Sequence, residues 1–209
     1  MANPRRLIAT PPDSPAVLVV DMIRDNVHGP EHASITRQAR AIVPRVNGLL
    51  AWAHDRGRPV IFACDSFQRQ DPFFLQSRLK PHALQGTPGA MVIDELVRGA
   101  DDLVLPKRRL SAFFGTGLDR TLHERGVRTV LICGITSLFC VLATAFDALS
   151  HDLSTIIVED CCAAPRPELH EALLSCYRDS ALRPMLQVLA LDQLLALDQP
   201  PHRPPLTPA

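Results

Sequence analysis

The sequence predicts an α/β protein with one mostly parallel sheet that is covered by helices on both faces. Two observations predict this fold class. Short runs rich in Val, Ile and Leu alternate along the chain with longer segments whose apolar residues recur at helical spacing. The short runs are apolar throughout, which is typical of strands that are buried on both faces of a parallel sheet. The length of 209 residues favours a single domain, which we expect at residues 1–198.

The first half of the chain supplies three predicted strands and one long helix. From Ile35 to Ala53 the apolar residues recur every three or four positions, which predicts a helix with one buried face. Pro44 predicts a kink or a break in this helix, and Gly57 is suited to end it. Strands are predicted at 16–21, 59–63 and 102–105, with a long loop at 66–89 and a short helix at 90–98 between the last two.

The second half continues the alternation. Gly126 is suited to end one helix, and Pro167 fits the first turn of another. Strands are predicted at 128–133, 154–158 and 185–190, and helices at 117–125, 137–150 and 167–180, with a last short helix up to about 197. Residues 1–15 are expected to be extended. The proline-rich tail at 199–209 is expected either to contact a neighbouring subunit or to remain disordered.

Composition excludes several classes of partner. The 22 basic and 22 acidic residues balance, and no basic stripe interleaved with aromatic residues is present, so a nucleic-acid partner is not expected. No apolar run approaches the roughly 20 residues that span a bilayer, so we expect no membrane insertion. Arg5 and Arg6 could begin a twin-arginine signal, but Pro11 and Pro12 interrupt the apolar segment that follows. We therefore predict a cytoplasmic protein whose six cysteines are free thiols.

Cys140 is the candidate nucleophile. It follows the apolar run that ends at Gly134 and lies at the start of a predicted helix. Free N–H groups and the positive end of the helix dipole favour the thiolate form of a cysteine in such a position. The alternative is a packing role, because unpaired cysteine is among the most buried residue types.

Two more reactive side chains follow other predicted strands. Asp21 ends the first strand and Lys107 follows the third. Open α/β sheets build their sites at the carboxyl ends of strands, so these residues and Cys140 are expected to meet there. Taken alone, Asp21 could instead cap its loop, and Lys107 could belong to a solvated basic edge with Arg108 and Arg109.

Four collinear segments resemble the isochorismatase-like cysteine hydrolases, a family that includes nicotinamidases, carbamoylsarcosine amidases, and biuret and ureidoacrylate hydrolases. The resemblance covers residues 15–190. It rests on the segments 19–22, 82–90, 107–116 and 140–148. It implies a three-layer αβα fold with a six-stranded parallel sheet, and a homo-oligomer, either a dimer or a tetramer.

By the same resemblance, Asp21, Lys107 and Cys140 form a catalytic triad. Lys107 would stabilise the thiolate, and Asp21 would take the thiol proton and later protonate the departing amine. The resemblance also implies a cis peptide bond between Ile135 and Thr136. Its use would be to direct the N–H of Thr136, together with that of Cys140, at the oxyanion.

One departure from the family pattern concerns metal. Metal-dependent nicotinamidases carry Asp-x-His after strand two, whereas this chain has Asp65-Ser66-Phe67. Asp65 and His82 remain, but two ligands are too few for a usual zinc site. We therefore predict an enzyme without metal or other cofactor, in which Phe67, Asp65 and His82 line the substrate pocket.

The function predicted from these residues is hydrolysis of a small non-peptide amide, ureide or carbamoyl compound through a thioester. An isochorismate-type vinyl ether hydrolase is the nearest alternative, because that chemistry requires the Asp and the Lys without a thiol. A binding protein that has kept the fold without catalysis is a second alternative. A redox role for the thiol is a third.

Overall fold

A six-stranded sheet organises the part of the chain that the computed structural model describes, residues 15–30 and 34–197. All neighbouring strands are parallel, in the order β3-β2-β1-β4-β5-β6. The strands are β1 Ala16–Val20, β2 Val60–Asp65, β3 Leu103–Lys107, β4 Thr129–Ile135, β5 Ser154–Ala163 and β6 Leu186–Leu189. The six predicted strands are confirmed, with β5 five residues longer than expected. The predicted N-terminal segment, apart from its last residue, and the tail at 199–209 lie outside the described residues.

Within the described residues, seven α-helices connect and cover the strands. They are α1 Arg24–Val27, α2 Ser34–Asp55, α3 Pro72–Gln76, α4 Leu118–Glu124, α5 Leu142–Ser150, α6 Pro167–Arg178 and α7 Leu191–Leu197. A π-helical turn, Ser137–Val141, precedes α5. Every residue of β1, β2 and β4 is buried, so helices cover both faces of the sheet, as the predicted three-layer αβα fold requires. No described helix combines the length and the apolar character needed to cross a membrane.

The long helix α2 is continuous, so the prediction of a break at Pro44 is wrong. Pro44 lies on the exposed side of the helix. The opposite side buries Val46, Leu49 and Leu50 in the core. Because a helix interior draws most of its stability from packing of its apolar face, the single missing main-chain hydrogen bond is tolerated.

The short helix predicted at 90–98 is also absent. Val92 instead forms an antiparallel bridge with Ile23. The Asn47 side chain then donates a hydrogen bond to the main-chain oxygen of Glu95 at 2.8 Å. Main-chain groups in this segment are therefore satisfied by distant residues rather than by a local helix, which sequence spacing does not reveal.

Gly134 allows β4 to pass close to β1. It pairs with Val20 and has a φ of +106°, in the region that favours glycine. A Cβ atom at this position would lie 2.1 Å from the main-chain oxygen of Val20. A residue with a side chain fits neither this backbone conformation nor the available space. The segment that follows Gly134 leads directly to Cys140.

Replacing Gly134 with Ala should lower the free energy of unfolding by roughly 2–5 kcal/mol, because strain and overpacking add. The matched control is Gly57→Ala, where φ is +59° and no atom lies within 4 Å of the added Cβ. That variant should lose only about 1–2 kcal/mol. Urea denaturation measures both values, and equal losses would contradict the close approach at Gly134.

Candidate active site

Four adjacent strands deliver the polar residues of one cleft. Asp65 and Lys107 are the last residues of β2 and β3 and are register partners. Asp21 follows β1, and Cys140 lies in the turn after β4. Parallel strands end at the same edge of a sheet, and the chain reverses its direction of winding between β1 and β4. Such a switch point leaves a crevice at the carboxyl ends, and these residues surround it.

The Lys107 ammonium is the centre of this group. The residue is 1% exposed. Its Nζ atom forms an ion pair with Asp21 Oδ2 at 2.8 Å, and it donates hydrogen bonds of 2.5 Å to Asp65 Oδ1 and of 3.2 Å to the main-chain oxygen of Arg109. Burial alone would favour the neutral amine, but the negative charges of its neighbours, Asp21 first, raise the pKa of Lys107 above its usual range. Lys107 is therefore a buried cation whose charge two carboxylates compensate.

Asp21 is held in one orientation by contacts on three sides. Its Oδ1 atom accepts a 2.7 Å hydrogen bond from the N–H of Asp65, while Oδ2 faces Lys107. Its main-chain oxygen accepts a 3.0 Å hydrogen bond from the Asn26 side chain. Asp21 adopts a φ of +54°, which is uncommon for a residue other than glycine. This conformation aims the carboxylate into the cleft, where one of its oxygens lies within 4.8 Å of the Cys140 sulfur.

Cys140 is 8% exposed. Its sulfur and a carboxylate oxygen from each of Asp21 and Asp65 lie within 4.8 Å of one another. Burial raises the pKa of the Cys140 thiol, the charge of Asp21 raises it further, and Lys107 only partly opposes them. The prediction of a resting thiolate is therefore wrong. The helix-start argument considered only the local chain, whereas two carboxylates against one ammonium leave an excess of negative charge around the sulfur.

Asp65 carries the second carboxylate. Burial and the neighbouring charge of Asp21 raise its pKa to about 7, although Lys107 acts in the opposite direction. This carboxyl group therefore holds a proton far more readily than an ordinary aspartate. Its carboxylate contacts Lys107, and the assignment of Asp65 to the pocket lining stays a prediction.

The turn before α5 carries main-chain donors. The peptide bond between Ile135 and Thr136 is cis, at the position that the family resemblance implied. Within residues 15–30 and 34–197, the Thr136 N–H donates to no acceptor, while the Thr136 oxygen accepts from the N–H groups of Phe139 and Val141. The predicted helix 137–150 consists of the π-helical turn and α5, so Cys140 precedes the α-helix rather than lying in its first turn.

Phe67 and His82 belong to an aromatic cluster beside the cleft. Phe67 is 3% exposed, and its ring centroid lies 5.2 Å from that of Phe74 and 5.6 Å from that of His82. Phe73 also contacts Phe67, at 6.1 Å. The His82 Nδ1 donates to the main-chain oxygen of Lys80 at 2.8 Å. These contacts bury Phe67 and hold the segment 66–89; a role in the substrate pocket stays a prediction.

The described residues do not fit the zinc site that the family pattern suggested. Phe67 offers no ligand atom and fills its position with an apolar ring. His82 is not part of the one described group of potential ligand atoms, which contains Asp21, Asp65 and Cys140. Both carboxylates of that group already face the Lys107 ammonium. A lysine therefore supplies the positive charge at this point.

The sequence analysis missed Asp71. Its fully buried carboxylate accepts hydrogen bonds from Arg108 at 2.9 Å and Arg109 at 3.3 Å, and from the Phe73 N–H at the start of α3. Burial would raise its pKa, but the two guanidinium groups and this N–H hold it below the usual range. Asp before Pro72 is a helix-start signal that could have found it. Arg108 and Arg109 are thus paired with Asp71 and do not form the unpaired basic edge considered above.

The strand order and the cleft define the class of protein, an α/β protein with the isochorismatase-like hydrolase fold. An isochorismatase domain model matches residues 15–186, and the chain therefore belongs to the isochorismatase family.

The names of several similar proteins refer to the hydrolysis of amides. The chain is 31% identical over 167 residues to maleamate amidohydrolase from Pseudomonas putida, covering 77% of each chain. It is 32% identical over 169 residues to an Arabidopsis thaliana protein named "Probable inactive nicotinamidase", covering 75% of this chain and 84% of that one. The crystal structure of N-carbamoylsarcosine amidase from Thermoplasma acidophilum superposes with a TM-score of 0.74 at 30% identity, covering 90% and 99% of the two chains.

Lys107→Met should lower the free energy of unfolding by about 3–5 kcal/mol, because it leaves two buried carboxylates without a counter-charge. Lys107 lowers the pKa of Asp65, so the variant takes up a proton on Asp65 at higher pH. A carboxyl group whose pKa is higher in the folded state than in the unfolded state stabilises the fold at a pH below its unfolded-state pKa. This stabilisation is lost as the pH rises through its folded-state pKa. The deficit should thus be smaller at pH 5 than at pH 8 in urea titrations.

The control for that measurement is Lys80→Met, because Lys80 is the other lysine of the chain and is exposed. It should change stability by less than about 0.5 kcal/mol at either pH. Equal, pH-independent losses in the two variants would contradict the ion-pair arrangement.

The protonation state of Cys140 predicts slow alkylation. Near pH 7.5, iodoacetamide should modify the exposed Cys176 before Cys140. Asp21→Asn removes a charge that raises the Cys140 pKa and should speed alkylation of Cys140 about tenfold or more. Asp119→Asn, on the exposed side of α4, should leave the rate unchanged. Peptide mass spectrometry gives each rate, and preferential labelling of Cys140 in the wild type would favour a thiolate instead.

Proposed function

We propose that the protein is a cysteine-dependent amidohydrolase that cleaves a small non-peptide amide, ureide or carbamoyl compound. The observation that carries the proposal is the Cys140 sulfur, which lies within 4.8 Å of a carboxylate oxygen of Asp21, with Asp21 itself ion-paired to Lys107. A nucleophile, its base and a group that orients the base form the arrangement by which hydrolases activate a thiol or hydroxyl. A binding module has no use for a buried charge cluster of this kind.

In the first half of the reaction, Cys140 attacks the amide carbon as Asp21 accepts the thiol proton. Because the pKa of the thiol is raised, proton transfer to the neighbouring Asp21 carboxylate accompanies the attack. The N–H groups of Thr136 and Cys140 donate to the oxyanion of the tetrahedral intermediate. Asp21 then protonates the departing amine or ammonia, which leaves a thioester on Cys140.

In the second half, water attacks the thioester carbonyl while Asp21 accepts a proton from that water. The collapsing intermediate expels the sulfur, which recovers a proton from Asp21, and the acid product leaves. Lys107 remains protonated throughout and balances the charge of Asp21 and Asp65. Its role is to keep the Asp21 carboxylate in place while that carboxylate gains and loses a proton.

The substrate class is supported by the relatives. Maleamate amidohydrolase and N-carbamoylsarcosine amidase are named for small carboxylic acids that carry a primary amide or a carbamoyl group. Both reactions break a carbon–nitrogen bond and release ammonia. We extend this class, rather than either compound, to the present enzyme.

An ammonia-release screen tests the function. Maleamate, N-carbamoylsarcosine, ureidoacrylate, biuret and nicotinamide should be supplied to the wild type and to the variants Cys140→Ser and Asp21→Asn. At least one compound should release ammonia, and each variant should lower kcat by about 10⁴-fold or more. Adding hydroxylamine should convert the thioester to a hydroxamate, which mass spectrometry detects.

Cys176→Ser is the control, because this exposed cysteine lies on α6 and takes no part in the mechanism. It should retain wild-type turnover. Substantial activity in Cys140→Ser would refute the thiol mechanism. Cleavage of a vinyl ether that persists without Cys140 would favour the isochorismatase reaction, and no activity on any compound would favour a binding role.

A further inference from the structure

One polar contact of residues 136–141, the turn that carries Cys140, has no role in the proposed mechanism. Ser137 is fully buried, and its hydroxyl lies 2.9 Å from Nδ1 of His170. Among the described residues, this contact is the side-chain hydrogen bond of the segment 136–141. One end of the turn therefore lies beside the Asp21 carboxylate, and the other end is attached to a histidine on α6.

His170 is partly buried and contacts Ser137 through Nδ1. Burial lowers the pKa of the imidazole, as does Arg178, while Glu171 and Glu159 oppose this. A neutral imidazole has one N–H and one acceptor nitrogen, and a serine hydroxyl can donate or accept, so the contact is a hydrogen bond in either tautomer.

The helix that carries His170 is itself fixed to the sheet. Arg178, at the other end of α6, donates to the Glu159 carboxylate on β5 at 2.6 Å and to the Glu171 carboxylate at 2.6 Å. The Glu159 side chain thus attaches the C-terminal end of α6 to β5, the strand next to β4.

The position of Ser137 gives this contact a consequence for the site. Ser137 directly follows Thr136, whose N–H has no acceptor among the described residues and whose buried Oγ1 has no partner there. The Thr136 side chain therefore makes no hydrogen bond that would fix its own peptide group. On one side this peptide group continues into β4, where Ile135 pairs with Ala163 of β5, and on the other side the Ser137–His170 contact is the first side-chain attachment among the described residues.

We infer that His170 is a positioning residue that acts through Ser137 to hold the Thr136 and Cys140 N–H groups in the geometry that binds the oxyanion. This inference rests on the proposed amide hydrolysis. His170 does not touch the reacting atoms in this account. Its loss weakens binding of the transition state more than binding of the substrate, because the amide oxygen gains its negative charge only in the transition state.

Three variants test the inference with the best substrate of the ammonia-release screen. His170→Leu and Ser137→Ala should each lower kcat by about 10- to 100-fold with little change in KM. His170→Asn, whose side-chain oxygen can accept the Ser137 hydrogen bond, should restore most of the lost rate. The double variant His170→Leu/Ser137→Ala should be no slower than the slower single variant, because both changes break the same contact. His123→Leu, on the exposed side of α4, is the control.

Hydrogen exchange of the main-chain amides gives a readout that does not depend on turnover. In His170→Leu and Ser137→Ala, exchange in the peptide that contains residues 136–141 should accelerate, while β1 and α2 exchange as in the wild type. Unchanged kcat and unchanged local exchange, even with a lower Tm, would overturn the inference. If the wild type cleaves none of the amides, the proposed function fails. The exchange result then still decides whether His170 holds the turn.

Discussion

The interaction between the Lys107 ammonium and the carboxylates of Asp21 and Asp65 is the constraint on which the site depends. Two buried carboxylates would repel each other and lose their hydration, and a buried ammonium alone would be as costly. Together they form a compensated charged group inside the protein. This group helps to orient Asp21, and a carboxylate oxygen of Asp21 lies within 4.8 Å of the Cys140 sulfur. Burial and the charge of Asp21 raise the pKa of that thiol.

The sheet makes this interaction possible by ending four parallel strands at one edge. Each strand contributes one residue, so no local sequence has to contain the whole site. The central strands can end this close together because Gly134 carries no side chain against Val20. The last link is the turn from Thr136 to Cys140, which approaches Asp21 on one side and the histidine of α6 on the other. Small changes in that turn therefore affect the nucleophile and the oxyanion donors together.

Lys107 supplies positive charge beside the carboxylates of the cleft. The ring of Phe67 stands at a ligand position of the family's metal pattern, and Lys107 faces Asp21 and Asp65. A lysine differs from a divalent ion because it carries a single charge and has three hydrogen-bond donors on a flexible stem. It can therefore orient a carboxylate through an ion pair and a hydrogen bond.

The sequence by itself determined the fold class, the six strands and the residues that follow them, because apolar runs and helical spacing show directly which residues are buried. Asp21, Lys107 and Cys140 were predictable for the same reason, since each stands where a strand ends. Only the tertiary structure decided the protonation of Cys140, the pairing of Asp65 with Lys107 and the bond between Ser137 and His170. It also decided the loop at 90–98, where Asn47 satisfies distant main-chain groups. Burial, local charge and long-range hydrogen bonds depend on which residues meet in space, and spacing along one chain does not contain that information.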